Sequence, residues 1–226
     1  MTRLLLLPGM DGTGDLFGPF AAEVSPWAST QVVRYPTNVC LSIEELVDRI
    51  ELDEPVTVIA ESFSGPVGIR LAARYPALVS RLVLVGSFVS PPFGSGLLRL
   101  LGAMLFQVSP PRWALRKWLV GEDATDELVS QLSQTLGRVS PEVLAHRLAS
   151  ISRIDERASL RGLSTPVVTI SARQDRLVSA ADAAELRSHA GALHLELNGP
   201  HLLLQARPRE AAELLQGQLA LGPVTG

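Results

Sequence analysis

Ser62, Asp175 and His201 follow one another along the chain in the order, and with the neighbours, that nucleophilic acyl chemistry would require. Ser62 lies in Ala60-Glu61-Ser62-Phe63-Ser64-Gly65-Pro66, between an apolar β-branched run at 56–60 and a helix-like stretch at 65–75. A serine on a tight strand-to-helix turn, with small residues two positions to either side, is the nucleophile-elbow arrangement. The usual flanks are glycines; here they are Ala60 and Ser64. Ser64 is a rival, but Pro66 would be its flank, and Pro66 suits the first turn of the following helix better. A pair of N-capping serines without chemistry is the third reading. Asp175 follows the run 167–170, where a carboxylate either orients an imidazole or accepts from its own turn. Of four histidines, His146 and His189 fall in helix-like stretches and His194 at the start of a strand. Only His201, in Asn198-Gly199-Pro200-His201, occupies a bent loop past a strand. Each residue alone has an ordinary structural explanation. All three beyond carboxyl ends of strands, where parallel sheets gather their functional groups, point to a Ser62–His201–Asp175 relay.

The loop Leu7-Pro8-Gly9-Met10-Asp11-Gly12-Thr13-Gly14 follows the first apolar run. In an acyl-transfer reading, the backbone N–H of Met10 and that of Phe63 form the oxyanion hole. Asp11 either contacts substrate or organises the turn, and Glu61 reads as a local hydrogen-bonding group. A dinucleotide fingerprint is not met, because Phe17 stands where the third glycine belongs, and the Gly-Lys-Ser/Thr of a phosphate loop is absent.

These groups need a scaffold, and the chain spells one out. Apolar runs at 4–7, 31–35, 56–60, 82–85, 167–170 and 193–197 read as about six strands, mostly parallel and buried on both faces. Helical signals alternate with them: a Ser42–Glu45 capping box, 65–75, 180–190 and 208–220. The expected class is therefore α/β, a mostly parallel sheet flanked by helices. From 91 to 162 the rhythm breaks, and 97–105, 113–120, 126–136 and 141–154 read as helices. This predicts a core of 1–90 and 163–226 carrying a helical insertion at 91–162, within a single structural domain.

Composition agrees. At 226 residues, 46% hydrophobic and 19% charged, the chain supports a buried core, and roughly 150 residues per domain favours one domain. The net charge of −3 shows no basic stripe, which argues against nucleic acid. The single Cys40 excludes an intrachain disulfide and a cysteine-rich metal site. The apolar run after Arg3 stops at Pro8, too short for export or spanning, so no stable membrane insertion is expected and the location reads as cytoplasmic.

The chain resembles the α/β-hydrolases over nearly its full length. The opening Leu-Pro-Gly-Met-Asp-Gly-Thr-Gly is similar to a bacterial serine-hydrolase branch and to the hydrolase half of plant phytyl-ester acyltransferases. The segments around Ser62, Asp175 and His201 resemble that branch's triad segments. Two departures stand out: about six strands where the family commonly has eight, and Pro8-Gly9 in place of its usual His-Gly. The resemblance implies ester or thioester hydrolysis through an acyl-enzyme on Ser62, with no metal or organic cofactor. It also implies a cap, whose Phe93, Leu97, Met104 and Trp113 either line an apolar substrate site or pack the cap itself. An acyltransferase using an alcohol, a carbon–carbon bond hydrolase and a non-catalytic binding protein share the same pattern.

Overall fold

The computed structural model describes residues 1–92, 110–190 and 193–220. The predicted helix at 97–105, with Phe93, Leu97 and Met104, lies outside the described residues. Strands β1 (Thr2–Leu7), β2 (Ala28–Val32), β3 (Val56–Glu61), β4 (Val79–Val85), β5 (Val167–Ala172) and β6 (Leu193–Leu197) form one sheet. Their order is β2-β1-β3-β4-β5-β6, and every neighbouring pair is parallel. The expected α/β class is what the chain adopts.

The apolar runs are continuous because both faces of the sheet are covered. Leu5, Leu7, Val58, Ala60, Leu82 and Leu84 pack on one face, against residues of helices Ile43–Asp48 and Gly65–Arg74. Leu4, Leu6, Ile59, Val83 and Val85 pack on the other, against Phe20, Val24, Leu203, Leu204 and Leu215. The strand period of two thus divides each run between two cores.

β2 lies at 28–32, not 31–35. It is an edge strand with one partner, so Ala-Ser-Thr-Gln-Val with alternating burial suffices there. The apolar signal at 32–35 instead marks where the chain turns inward. Val33 N–H still donates to Leu6 O (2.9 Å), but Tyr35 N–H donates to Gly12 O (2.7 Å) and its ring enters the core.

β2 and β3 leave β1 on opposite sides, so the strand order reverses there. Such a reversal opens a crevice beyond the carboxyl ends, and ligands of open α/β sheets bind in it. Met10 follows β1 and Ser62 follows β3 into this crevice.

Between β4 and β5 the described residues are helical: Arg112–Leu115 running on as a wide turn Arg116–Val120, then Asp126–Gly137, Pro141–Ile151 and Arg157–Arg161. The helix expected over 141–154 stops at Ile151, and the short helix Arg157–Arg161 carries too few residues to show a period. Thr125 and Ser140 cap the two longer helices. Their apolar faces close two small clusters. Leu115, Val120, Val129 and Leu132 meet Leu16 and Leu202; Val139, Val143 and Leu144 meet Met10. This segment therefore packs on the loops at the carboxyl end of the sheet. No described helix is long and apolar enough to cross a membrane.

Leu6 is fully buried at the centre of this scaffold. Leu6→Ala is expected to cost about 2–5 kcal/mol, read as a fall in the urea midpoint without a change in slope.

Candidate active site

Ser62 has φ +50°, and it is the only described residue other than glycine at positive φ. An L residue there is strained by roughly 1–3 kcal/mol, so surrounding contacts must enforce it. They do. Gly65 N–H and Ser87 Oγ both donate to Ser62 O, the latter at 2.9 Å. A Cβ on Gly65 would lie 2.8 Å from Ser87 Cβ, and one on Gly68 2.8 Å from Ala60 Cβ. The helix can approach the strand this closely only because both positions are glycine. The sequence reading missed Gly68 and Ser87; the glycines three and six residues beyond Ser62 were the available signal.

The structure brings Ser62, His201 and Asp175 together. Ser62 Oγ lies 2.8 Å from His201 Nε2, and His201 Nδ1 lies 2.8 Å from Asp175 Oδ2. With Nδ1–H donating to the carboxylate, Nε2 is left to accept from the hydroxyl. Asp175 fills both roles weighed for it: Oδ1 accepts from Leu177 N–H (2.8 Å) and Val178 N–H (2.9 Å), while Oδ2 takes the imidazole. The loops that carry the pair are stitched together by Arg173 N–H to Leu197 O (3.0 Å) and Gln174 N–H to Gly199 O (2.9 Å). Beneath them Gly86, at φ +52°, leaves room that a Cβ would take, 3.2 Å from His201 O and 3.6 Å from Asp175 Oδ2. His194 is excluded from this role, since its ring nitrogens lie against Thr169 Oγ1 (2.8 Å) and Ser171 Oγ (3.2 Å) in the sheet.

His201 is buried. Burial pushes its pKa down, but the charge and hydrogen bond of Asp175, with a smaller push from Glu61, leave it above the ordinary histidine value. Glu61 is the local hydrogen-bonding group expected, with Oε2 accepting from Gln205 Nε2 at 3.0 Å. It is also 2% exposed, its Oε1 has no hydrogen-bond partner among the described residues, and burial pushes its pKa up to about 7.

The parallel register pairs Leu7 with Ala60, so Met10 and Phe63 stand three residues beyond a matched pair. Ser64 Oγ donates to Pro8 O and lies 2.7 Å from Tyr35 Oη, which ties the two turns together. Ser64 is fully buried in that role, unlike the half-buried Ser62. Asp11 organises its turn, Oδ1 accepting from Thr13 N–H (2.9 Å) and Thr13 Oγ1 (2.6 Å). Trp113, expected in an apolar lining, is 65% exposed; Leu115, on the same short helix, is the side chain that packs inward. A cavity of about 220 Å³ lined by Thr169, Ser171, Arg187 and His194 reaches Asp175 but not Ser62. Among the described residues no cluster of His, Cys, Asp and Glu is placed to hold a metal ion.

This geometry can be set beside known proteins. The family model described as alpha/beta hydrolase family matches residues 4–214. The chain belongs to that family. This hydrolase is 28% identical to the pimeloyl-[acyl-carrier protein] methyl ester esterase of Xanthomonas oryzae pv. oryzae, over 97% of this chain and 96% of the relative. Its fold matches that of the enol-lactonase from Burkholderia xenovorans LB400, with TM-score 0.80 and 20% identity over 97% of this chain and 91% of that one. It also matches a thermophilic esterase from Thermogutta terrifontis, with TM-score 0.80 and 14% identity over 98% and 90%.

A protonated His201 cannot accept a proton, so activity through this site is expected to fall as pH drops through a midpoint above the usual 6.5. Glu61, its own pKa pushed up to about 7, is only partly charged over that range, so Glu61→Gln is expected to move the acid limb of kcat/KM slightly to lower pH. An unmoved limb would show that Glu61 exerts no field on His201.

Proposed function

We propose that this hydrolase cleaves carboxylic esters by two-step acyl transfer through Ser62. The observation that carries the reading is the unbroken hydrogen-bonded line from Ser62 Oγ through His201 to Asp175, with 2.8 Å at each step. His201 takes the hydroxyl proton as Ser62 attacks the ester carbonyl, and Asp175 stabilises the imidazolium that forms. The N–H groups of Met10 and Phe63 hold the oxyanion. His201 returns the proton to the departing alcohol. It then activates the water that releases the acid and restores Ser62.

Residues 91–162 act as the cap in this reading. Its support is the seating of their clusters on Met10, Leu16 and Leu202, around the mouth of the crevice. Met10, which packs on the buried Val143 and Leu144 and stays only partly covered, gives that rim an apolar side chain, in keeping with an ester whose acyl portion is apolar. The similarity to a methyl ester esterase supports an ester of a small alcohol as the first substrate to try.

Turnover of p-nitrophenyl butyrate and of medium-chain methyl esters is expected in the wild-type protein. Ser62→Ala should lower turnover on the order of 10⁴–10⁶-fold, with the fold unchanged by circular dichroism. Undiminished hydrolysis in Ser62→Ala would contradict the mechanism.

A further inference from the structure

Arg147 is an unusual residue to find where it is. It belongs to the helix Pro141–Ile151 of the insertion, yet it is only 2% exposed. A guanidinium taken out of water is costly unless its donors are met, and buried arginines are ordinarily paired with a carboxylate. Arg147 instead donates to three backbone carbonyls. Nη1 reaches Met10 O (2.8 Å) and Asp11 O (2.8 Å), and Nη2 reaches Pro36 O (2.9 Å). Its guanidinium carbon lies 5.7 Å from the ring centre of Tyr35 and 5.9 Å from that of Phe63. Burial pushes its pKa below the usual arginine value, with the charge of the nearby Asp11 carboxylate the main influence in the other direction.

The chain makes room for this cation. Gly12 sits at φ +72°, and a Cβ there would fall 2.5 Å from Arg147 Nη1 and 2.9 Å from its Cζ. The glycine in the Asp-Gly-Thr-Gly turn thus admits the guanidinium as well as the left-handed backbone. The two carbonyls gripped by Nη1 belong to Met10 and to the residue after it. Those carbonyls belong to the two peptide planes that follow Met10, while the plane that carries Met10 N–H is shared with Gly9 O, which accepts from Gly12 N–H at 3.0 Å; Arg147 thus holds one side of the same closed turn. On the other side the cation lies against Phe63, whose N–H is the second oxyanion donor.

We propose that Arg147 is a positioning residue for the oxyanion turn, through which the insertion holds in shape the loop that carries the Met10 N–H. The proposal rests on the serine-hydrolase reading above. It assigns the insertion a part in transition-state stabilisation, in addition to any part in covering substrate. Donors held for an oxyanion act mainly on the transition state, so their misplacement should appear in kcat more than in KM.

The test compares wild type, Arg147→Lys, Arg147→Ala and Ser62→Ala. Four readouts are taken: kcat and KM on p-nitrophenyl butyrate, the rate of inactivation by a fluorophosphonate, inhibition by an alkyl trifluoromethyl ketone, and thermal unfolding. Assays are run well below each variant's unfolding midpoint. Arg147→Lys is expected to keep the fold and lose kcat on the order of 10–10²-fold, with KM within about threefold. Fluorophosphonate reactivity and ketone affinity should fall in parallel with kcat. Millimolar guanidinium or methylguanidinium should restore part of the activity of Arg147→Ala and none of that of Ser62→Ala. A lowered unfolding midpoint with kcat and ketone affinity intact would make Arg147 a structural anchor and overturn the proposal. A rise confined to KM would overturn it too, by making Arg147 a substrate contact. A wild-type protein inert to esters and to the fluorophosphonate would defeat the hydrolase reading itself, a result distinct from either.

Discussion

A serine forced into left-handed backbone is the constraint on which the site depends. At φ +50° the chain leaves β3 and enters a helix within a few residues, which pushes the Ser62 side chain out toward His201. Nothing intrinsic to serine favours that conformation. It persists because Gly65 and Gly68 let the helix press against Ser87 and Ala60, and because two donors hold Ser62 O. The strain is balanced by close packing in the middle of the sheet, where the residues around it are almost wholly buried.

The rest of the fold delivers partners to that one serine. Parallel pairing brings all the strand ends to one side, so β1, β3, β5 and β6 can each supply a loop to the same small volume. Register does the fine placement: because Leu7 stands beside Ala60, the turns that follow run side by side. Ser64, Tyr35 and Arg147 then fasten the first turn by its carbonyls and through its neighbours. The insertion meets the core through residues that border the site, so its packing and the geometry of the turn are physically linked.

Much of this could be read from the chain. The continuous apolar runs of β1, β3, β4 and β5 announced a sheet covered on both faces. The spacing of Ser62, Asp175 and His201 against those runs singled out the residues the fold brings together. What escaped was set by contacts between distant segments. β2 was misplaced because Val32, Val33 and Tyr35 are apolar for burial, not for pairing, and an edge strand needs little apolar sequence. Trp113, offered as an apolar lining or as cap packing, is 65% exposed, and Leu115 of the same short helix is the side chain that packs inward. Nothing in the sequence marks Gly86 and Ser87, since their purpose lies in contacts with His201 and Ser62, distant along the chain. Arg147 escaped for the same reason: an arginine on a helix reads as a solvated charge until its carbonyl partners are known.

The central claim is that an ester passes its acyl group to one particular hydroxyl. Rapid acid quench of a turning-over reaction, followed by peptide mass analysis, tests it most directly. The account predicts a transient mass increase equal to the acyl group on the peptide carrying Ser62, localised by fragmentation to that residue. Acylation at Ser64, or steady hydrolysis with no acylated serine at any quench time, would contradict it.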